Sequence, residues 1–264
     1  MLQGVTRFLY GMAFGLALLV AQPAKAVPTL QLDIIGGTYD AATQTIVTNS
    51  STFTLLALAT AGSRSEADIL ADTFFVSMAL APAMNEGPFN AGTFSVNGNT
   101  VQATDTGLVY GTPPTEDANP DLGSHGHYPT YFHEVAFQFD ANDTTTTYNS
   151  ENDTGGVAFD ENGYGTFFYK LEMNVGGLVG KTLHFDLYDT ALKNNGTNSI
   201  DSFAPFSHDA EYIPGLTCTD CGEDPVPAPA STPIFLLAVA LIALMRRHAL
   251  RKAQAAATPV ASAT

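Results

Sequence analysis

The chain has 264 residues, 45% of them hydrophobic, with 26 acidic and 10 basic side chains and a formal charge of −16. That length suits one packed domain with flanking segments. An acid excess of this size repels phosphate, which excludes nucleic acid as a partner.

In chain order, Arg7, the apolar run Phe8 to Val20 and then Ala24-Lys25-Ala26 predict a secretory signal peptide over residues 1–26. Signal peptidase would cut after Ala26, in the small-x-small pattern set by Ala24 and Ala26. The apolar run is short for a spanning helix. The mature chain would begin at Val27, and residues 27–215 are expected to form one β-rich extracytoplasmic domain.

Period-two alternation dominates that body. Leu30, Leu32 and Ile34 alternate with Gln31 and Asp33, and Thr52–Thr60 and Asp72–Ala81 are β-rich runs apolar on both faces. Tyr131, His133, Val135, Phe137 and Phe139 share one face of a strand; Phe167, Tyr169, Leu171, Met173 and Val175 share one face of another. Leu183, Phe185 and Leu187 alternate with His184, Asp186 and Tyr188. Gly36-Gly37, Asn97-Gly98, Gly155-Gly156, Asn162-Gly163, Gly176-Gly177 and Asn195-Gly196 mark turns, Gly111–Gly126 reads as one long loop, and only Ser63–Ala71 invites a helix. Short strands separated by Gly and Asn turns predict an all-β fold, a single antiparallel β-sandwich or jelly roll.

Three groups of residues have ligand-like chemistry. His125 and His127, two apart on an extended chain, point the same way and with His133 offer imidazole nitrogens to a metal. His133 nevertheless lies on the apolar face of its strand, where a hydrogen-bonded core histidine is the commoner outcome. Asp140-Ala141-Asn142-Asp143 and the stretch from Asn149 to Asp160, with Asp153 and Asp160, are rich in the oxygen ligands that suit Ca²⁺, but they lack the EF-hand pattern, and Asx residues also populate turns. No cofactor is otherwise expected. There is no G-x-S-x-G, no P-loop and no H-E-x-x-H, so no catalytic residue is assigned.

Residues 216–232 read as a linker. Cys218-Thr219-Asp220-Cys221 within it is the only cysteine pair, and after export its default state is a small local disulfide. Val226-Pro227-Ala228-Pro229 follows, then residues 233–252, whose Ile234 to Met245 carry no charge before Arg246, Arg247, Arg251 and Lys252. This pattern predicts a short transmembrane helix with its basic end in the cytoplasm, and a disordered tail over 253–264. With leader and tail set aside, residues 27–232 hold 4 basic against 26 acidic residues, a net charge of −22.

The tail resembles a PEP-CTERM sorting signal: Val226-Pro227-Ala228-Pro229, a short apolar helix and Arg246-Arg247, with Ala228 where Glu is usual. The body resembles the choice-of-anchor N proteins. The matching segments include Leu30-Gln31-Leu32-Asp33-Ile34, Gly36-Gly37-Thr38-Tyr39-Asp40, Asp72-Thr73-Phe74-Phe75, Leu183-His184-Phe185-Asp186-Leu187-Tyr188 and Phe203-Ala204-Pro205-Phe206-Ser207-His208-Asp209-Ala210. The resemblance draws attention to His125, Pro129, His184, Pro205, Ser207, His208 and Asp209. It implies export, handling by signal peptidase and an exosortase-like enzyme, membrane anchoring or release to the cell surface, and an exopolysaccharide-rich setting. The expected function is therefore a non-catalytic surface or extracellular-matrix protein with a binding or structural role. The alternative is a secreted glycan-acting hydrolase using paired carboxylates or the histidine cluster.

Overall fold

Leu30, Leu32 and Ile34 leave one side of strand β1 (Leu30–Ile34) and enter the same apolar cluster as Leu55, Ala57 and Ala59 of β4 (Thr52–Thr60). That alternation, repeated along the chain, builds two packed sheets, a β-sandwich. This is a computed structural model, and it describes residues 29–62, 64–115, 122, 126–153, 158–192 and 198–215.

The first sheet runs β1-β4-β11-β6-β7, with β11 at Gly165–Asn174, β6 at Asn90–Val96 and β7 at Asn99–Thr104; β10 (Thr144–Thr146) also pairs with β11. The second runs β2-β3-β14-β12-β5-β9-β8, over Thr38–Asp40, Thr45–Thr48, Asp209–Tyr212, Thr182–Leu192, Phe74–Ala81, Thr130–Phe137 and Val109–Gly111 in that order. β13 (Asn198–Phe203) pairs with β12. Between the sheets, Leu171 and Met173 of β11 join Phe74, Val76 and Met78 of β5 and Leu183, Phe185 and Leu187 of β12 in one core. The inward residues of β9, β11 and β12 are those that the alternation predicts.

The expectation of a purely antiparallel sandwich needs one correction: β14 pairs in parallel with β3, so the second sheet is mixed. The physical reason is connectivity. A short hairpin forces antiparallel pairing, but β3 and β14 come from opposite ends of the domain and are joined by no turn.

Turn chemistry also follows the sequence. Asn97 and Gly98 both have positive φ, +49° and +77°, and join β6 to β7 as a two-residue hairpin with Val96 opposite Asn99. The single α-helix of the described residues, α1 (Glu66–Ala71), is shorter than the predicted Ser63–Ala71 and starts at a capping box. Ser65 accepts from the Asp68 amide while the Asp68 carboxylate accepts from the Ser65 backbone. At Gly92 (φ +84°) a Cβ would lie 2.1 Å from the Gly177 carbonyl oxygen, so only glycine lets the two backbones meet.

The runs that read as apolar on both faces are covered on their outer sides. Leu56 and Leu58 of β4 pack with Phe168 under Tyr148 and Phe159. Phe75 of β5 packs with Tyr188 and Leu122 under Tyr128 and Ile200. Tyr148 and Phe159 on one side, and Leu122 and Tyr128 on the other, therefore lie over opposite sheets. Among the described residues no helix is long and apolar enough to cross a membrane. The predicted signal peptide with Ala24 and Ala26, the Cys218–Cys221 pair, the segment Val226-Pro227-Ala228-Pro229 and the 233–252 helix with Arg246 and Arg247 lie outside the described residues.

Candidate functional site

Strand β12 presents Leu183, Phe185 and Leu187 to the core, so His184, Asp186 and Tyr188 must face outward. Outward here does not mean exposed. His184, Asp186 and Tyr188 are 2%, 3% and 0% accessible, because residues 126–129 and Leu122 lie over them. On the neighbouring β14, Ala210 faces inward and Asp209 outward, beside His184 and Asp186.

Three donors converge there. His184 Nε2 lies 3.3 Å from Asp186 Oδ1 and 3.6 Å from Asp209 Oδ2. The ligand atoms of all three lie within 4.8 Å of one another. The second oxygen of Asp186 accepts from the Tyr128 hydroxyl at 2.5 Å and from Ser77 Oγ of β5 at 3.0 Å. Ser77 Oγ and the Tyr128 hydroxyl also meet at 2.8 Å. The His127 ring stacks on that of His184, with centroids 3.8 Å apart and planes 6° from parallel. Further along the same face, the Tyr188 hydroxyl donates to the Glu134 carboxylate of β9.

The electrostatics follow from burial and charge. Burial alone would push the His184 imidazolium down, but the carboxylates of Asp186 and Asp209 beside it hold its pKa up to about 10. The Tyr128 phenol is pushed well above its ordinary range by burial, with the Asp186 charge adding to it. Burial raises Glu211 as well, against the pull of His184. One imidazole nitrogen and two carboxylate oxygens on adjacent rigid strands can hold a proton between them or bind a divalent cation.

A second buried polar cluster lies on the outer face of β1. Asp33 accepts from the Tyr148 hydroxyl at 2.6 Å and from its neighbour Ile34 N at 2.8 Å. Gln31 donates to the Tyr148 carbonyl at 2.8 Å and accepts from Ser150 N at 3.0 Å. Burial drives the Asp33 carboxyl up to about 7, and Asp153 adds to the rise through its charge and a hydrogen bond between the two carboxyl groups. Nearby, His208 Nε2 meets Asn149 Oδ1 at 3.1 Å and Nδ1 meets Ser207 Oγ at 2.8 Å. A shallow surface recess between α1 and β10–β11 is lined by Glu66, Leu70, Thr144, Tyr164 and Phe167, with Tyr164 78% exposed at its rim.

The predicted histidine set is divided by the second sheet. His133 sits on the inner face, its ring 6.2 Å from that of Phe94, and burial lowers its pKa. His127 lies against the outer face on His184. His125 lies outside the described residues. The predicted calcium ligands also separate. Asp160 is exposed and closes a turn, accepting from Asn162 N at 3.0 Å, and Asp140 does the same for Asn142 N at 2.8 Å. Asp153 is buried beside Asp33.

Of the converging residues, the sequence marks His184 and Asp209 through the family resemblance and does not single out Asp186, Tyr128 or Ser77. The available signal was His184, Asp186 and Tyr188 at alternate positions opposite an apolar stripe, which marks a polar face that something must cover. No family model, curated protein or solved structure matches the chain.

Proposed function

We propose that this chain is an exported bacterial protein of the cell surface or extracellular matrix with a non-catalytic binding role. In this reading it is of choice-of-anchor N lineage: a jelly-roll-like sandwich between a signal peptide and a transmembrane helix, sorted by a PEP-CTERM/exosortase-like system. The leader over 1–26, the Pro-containing segment before Ile234, the Arg246-Arg247 stop and the charge of −22 over residues 27–232 support the address. Export would leave Cys218 and Cys221 as a local disulfide.

The observation that carries the non-catalytic reading is where acids come together. Asp186 and Asp209 are 3% and 2% accessible, and Asp33 and Asp153 are 2% and 4%. A polysaccharide cannot reach carboxyl groups so placed, whereas a glycosidase needs its two acids on either side of an open scissile bond. The recess beside the exposed Tyr164 ring, with Glu66 and Thr144 as polar neighbours, is the surface we assign to sugar contact.

The test is to incubate the purified full chain with exopolysaccharide from its host. The expected result is co-sedimentation of protein and polymer with no new reducing ends. Tyr164→Ala is expected to weaken co-sedimentation about 5-fold, the loss of roughly 1 kcal/mol of aromatic contact. Release of reducing ends would favour the hydrolase instead.

A further inference from the structure

We infer that His184, Asp186 and Asp209 form a binding site for one divalent transition-metal ion, zinc being the best fit, beneath the 126–129 segment. This goes beyond the surface-binding reading and does not depend on it.

The distances carry the argument. A charge-assisted hydrogen bond from an imidazole to a carboxylate is short, about 2.7–2.9 Å, and one N–H points at one oxygen. Here the same nitrogen, His184 Nε2, faces two carboxylate oxygens at 3.3 and 3.6 Å. An ion with bonds of about 2.0–2.2 Å to nitrogen and oxygen spaces its ligands about 3.3–3.6 Å apart in a tetrahedron. The observed separations therefore match the edges of a metal's inner coordination sphere better than they match hydrogen bonds.

The surroundings are those of a built site. All three ligands come from β12 and β14, adjacent strands whose register pairs His184 with Glu211 and Phe185 with Ala210. Asp186 is turned by its outer oxygen, which Tyr128 and Ser77 hold, so that Oδ1 faces His184. Outer-shell donors of this kind orient metal-binding carboxylates. The His127 ring covers the face of His184, adjoining Tyr128 in the overlying segment. A metal would displace the proton that His184 holds, and the two buried carboxylates left carry two negative charges, which a dication balances.

The donor set selects the ion. One nitrogen and two oxygens suit zinc, with manganese weaker in the order of affinities. Calcium prefers six to eight oxygens and magnesium a largely hydrated octahedron, and neither fits this small mixed set.

The test uses the full chain carrying Cys218→Ser and Cys221→Ser, so that no thiol competes, stripped with chelator and titrated with zinc chloride by calorimetry. One zinc per chain is expected, with a rise in melting temperature. Tyr128→Phe keeps all three ligands and removes one of the two donors to Asp186; it is expected to lower zinc affinity about 10–100-fold. Asp209→Asn is expected to lose more than that, and Asp160→Asn, in its exposed turn, nothing. Circular dichroism of each stripped variant separates lost binding from lost folding. Absence of stoichiometric zinc uptake by the parent chain would overturn the inference, as would unchanged affinity in Tyr128→Phe.

Discussion

Replacing Arg64 by methionine is expected to destabilise the domain by about 3–5 kcal/mol, the usual result of leaving a buried charge without its partner. Arg64 precedes the Ser65 cap of α1 and reaches Asp189 near the end of β12, whose side chain is 2% exposed. Asp189 also accepts from Ser202 N at 2.6 Å and Ser202 Oγ at 2.8 Å, which fastens β13 to the same carboxylate. Arg64 donates to Ser202 Oγ at 3.3 Å, pairs with Asp72 and lies 5.7 Å from the Phe74 ring centroid. One guanidinium thus ties together the start of α1, the approach to β5, and the β12–β13 pair. Methionine offers an unbranched stem but supplies no charge.

The check is urea denaturation of four proteins. Arg64→Met should show the large loss. Asp189→Asn in the same background should recover part of it, because the uncompensated charge is gone. Asp72→Asn alone should change stability by less than about 1 kcal/mol, since Asp72 is 41% exposed and its pair is screened. Equal effects of Asp72→Asn and Arg64→Met would contradict the assignment of Asp189 as the buried partner.

Asp33→Asn is expected to stabilise the domain at alkaline pH and to be nearly neutral at low pH. The folded Asp33 carboxyl has a pKa raised by burial from the ordinary aspartate value of 3.8 to about 7. Between those values the native state keeps a proton that the unfolded chain has released. Stability therefore falls as pH rises through that window and is lowest above about pH 7. The full difference corresponds to about 4 kcal/mol. Asparagine imitates the protonated acid: its oxygen can accept from Ile34 N, and its amide can donate to Tyr148 Oη and to Asp153. Denaturation of both proteins at pH 4, 6 and 8 should give curves that diverge with pH. A constant difference across that range would mean that Asp33 does not carry this burial penalty.

How much was legible in the sequence depends on the kind of signal. β1 and β4 were readable to the residue, because alternation of Leu and Ile with polar side chains, or a β-rich run closed by turn residues, needs no tertiary knowledge. The Asn97-Gly98 hairpin was readable for the same reason, since two consecutive positive φ angles almost require those residues. The parallel β3–β14 pair was not, because two strands at opposite ends of a domain carry no mark of each other. The double-sided apolar runs were visible, but not which segment covers each. That hid the site: His184 and Asp186 look like a solvated strand face until Tyr128 and His127 are seen lying over them. Asp209 joins them from 23 residues further along the chain, by sheet pairing alone.

The histidine set shows a second limit. Spacing along an extended chain says which way side chains point, not which sheet face they reach. His127 precedes β9 and crosses over the outer face, while His133 within β9 points inward at Phe94.

The proposed address can be read directly from the two ends of the mature polypeptide. Intact-mass spectrometry of the protein isolated from its host membranes and culture medium should give a species starting at Val27, with Cys218 and Cys221 oxidised. Its C-terminus should lie either at Thr264, in the membrane, or close to the Val226–Pro229 segment, after sorting. A cytosolic species that retains Met1 and Thr264 with both thiols reduced would contradict it.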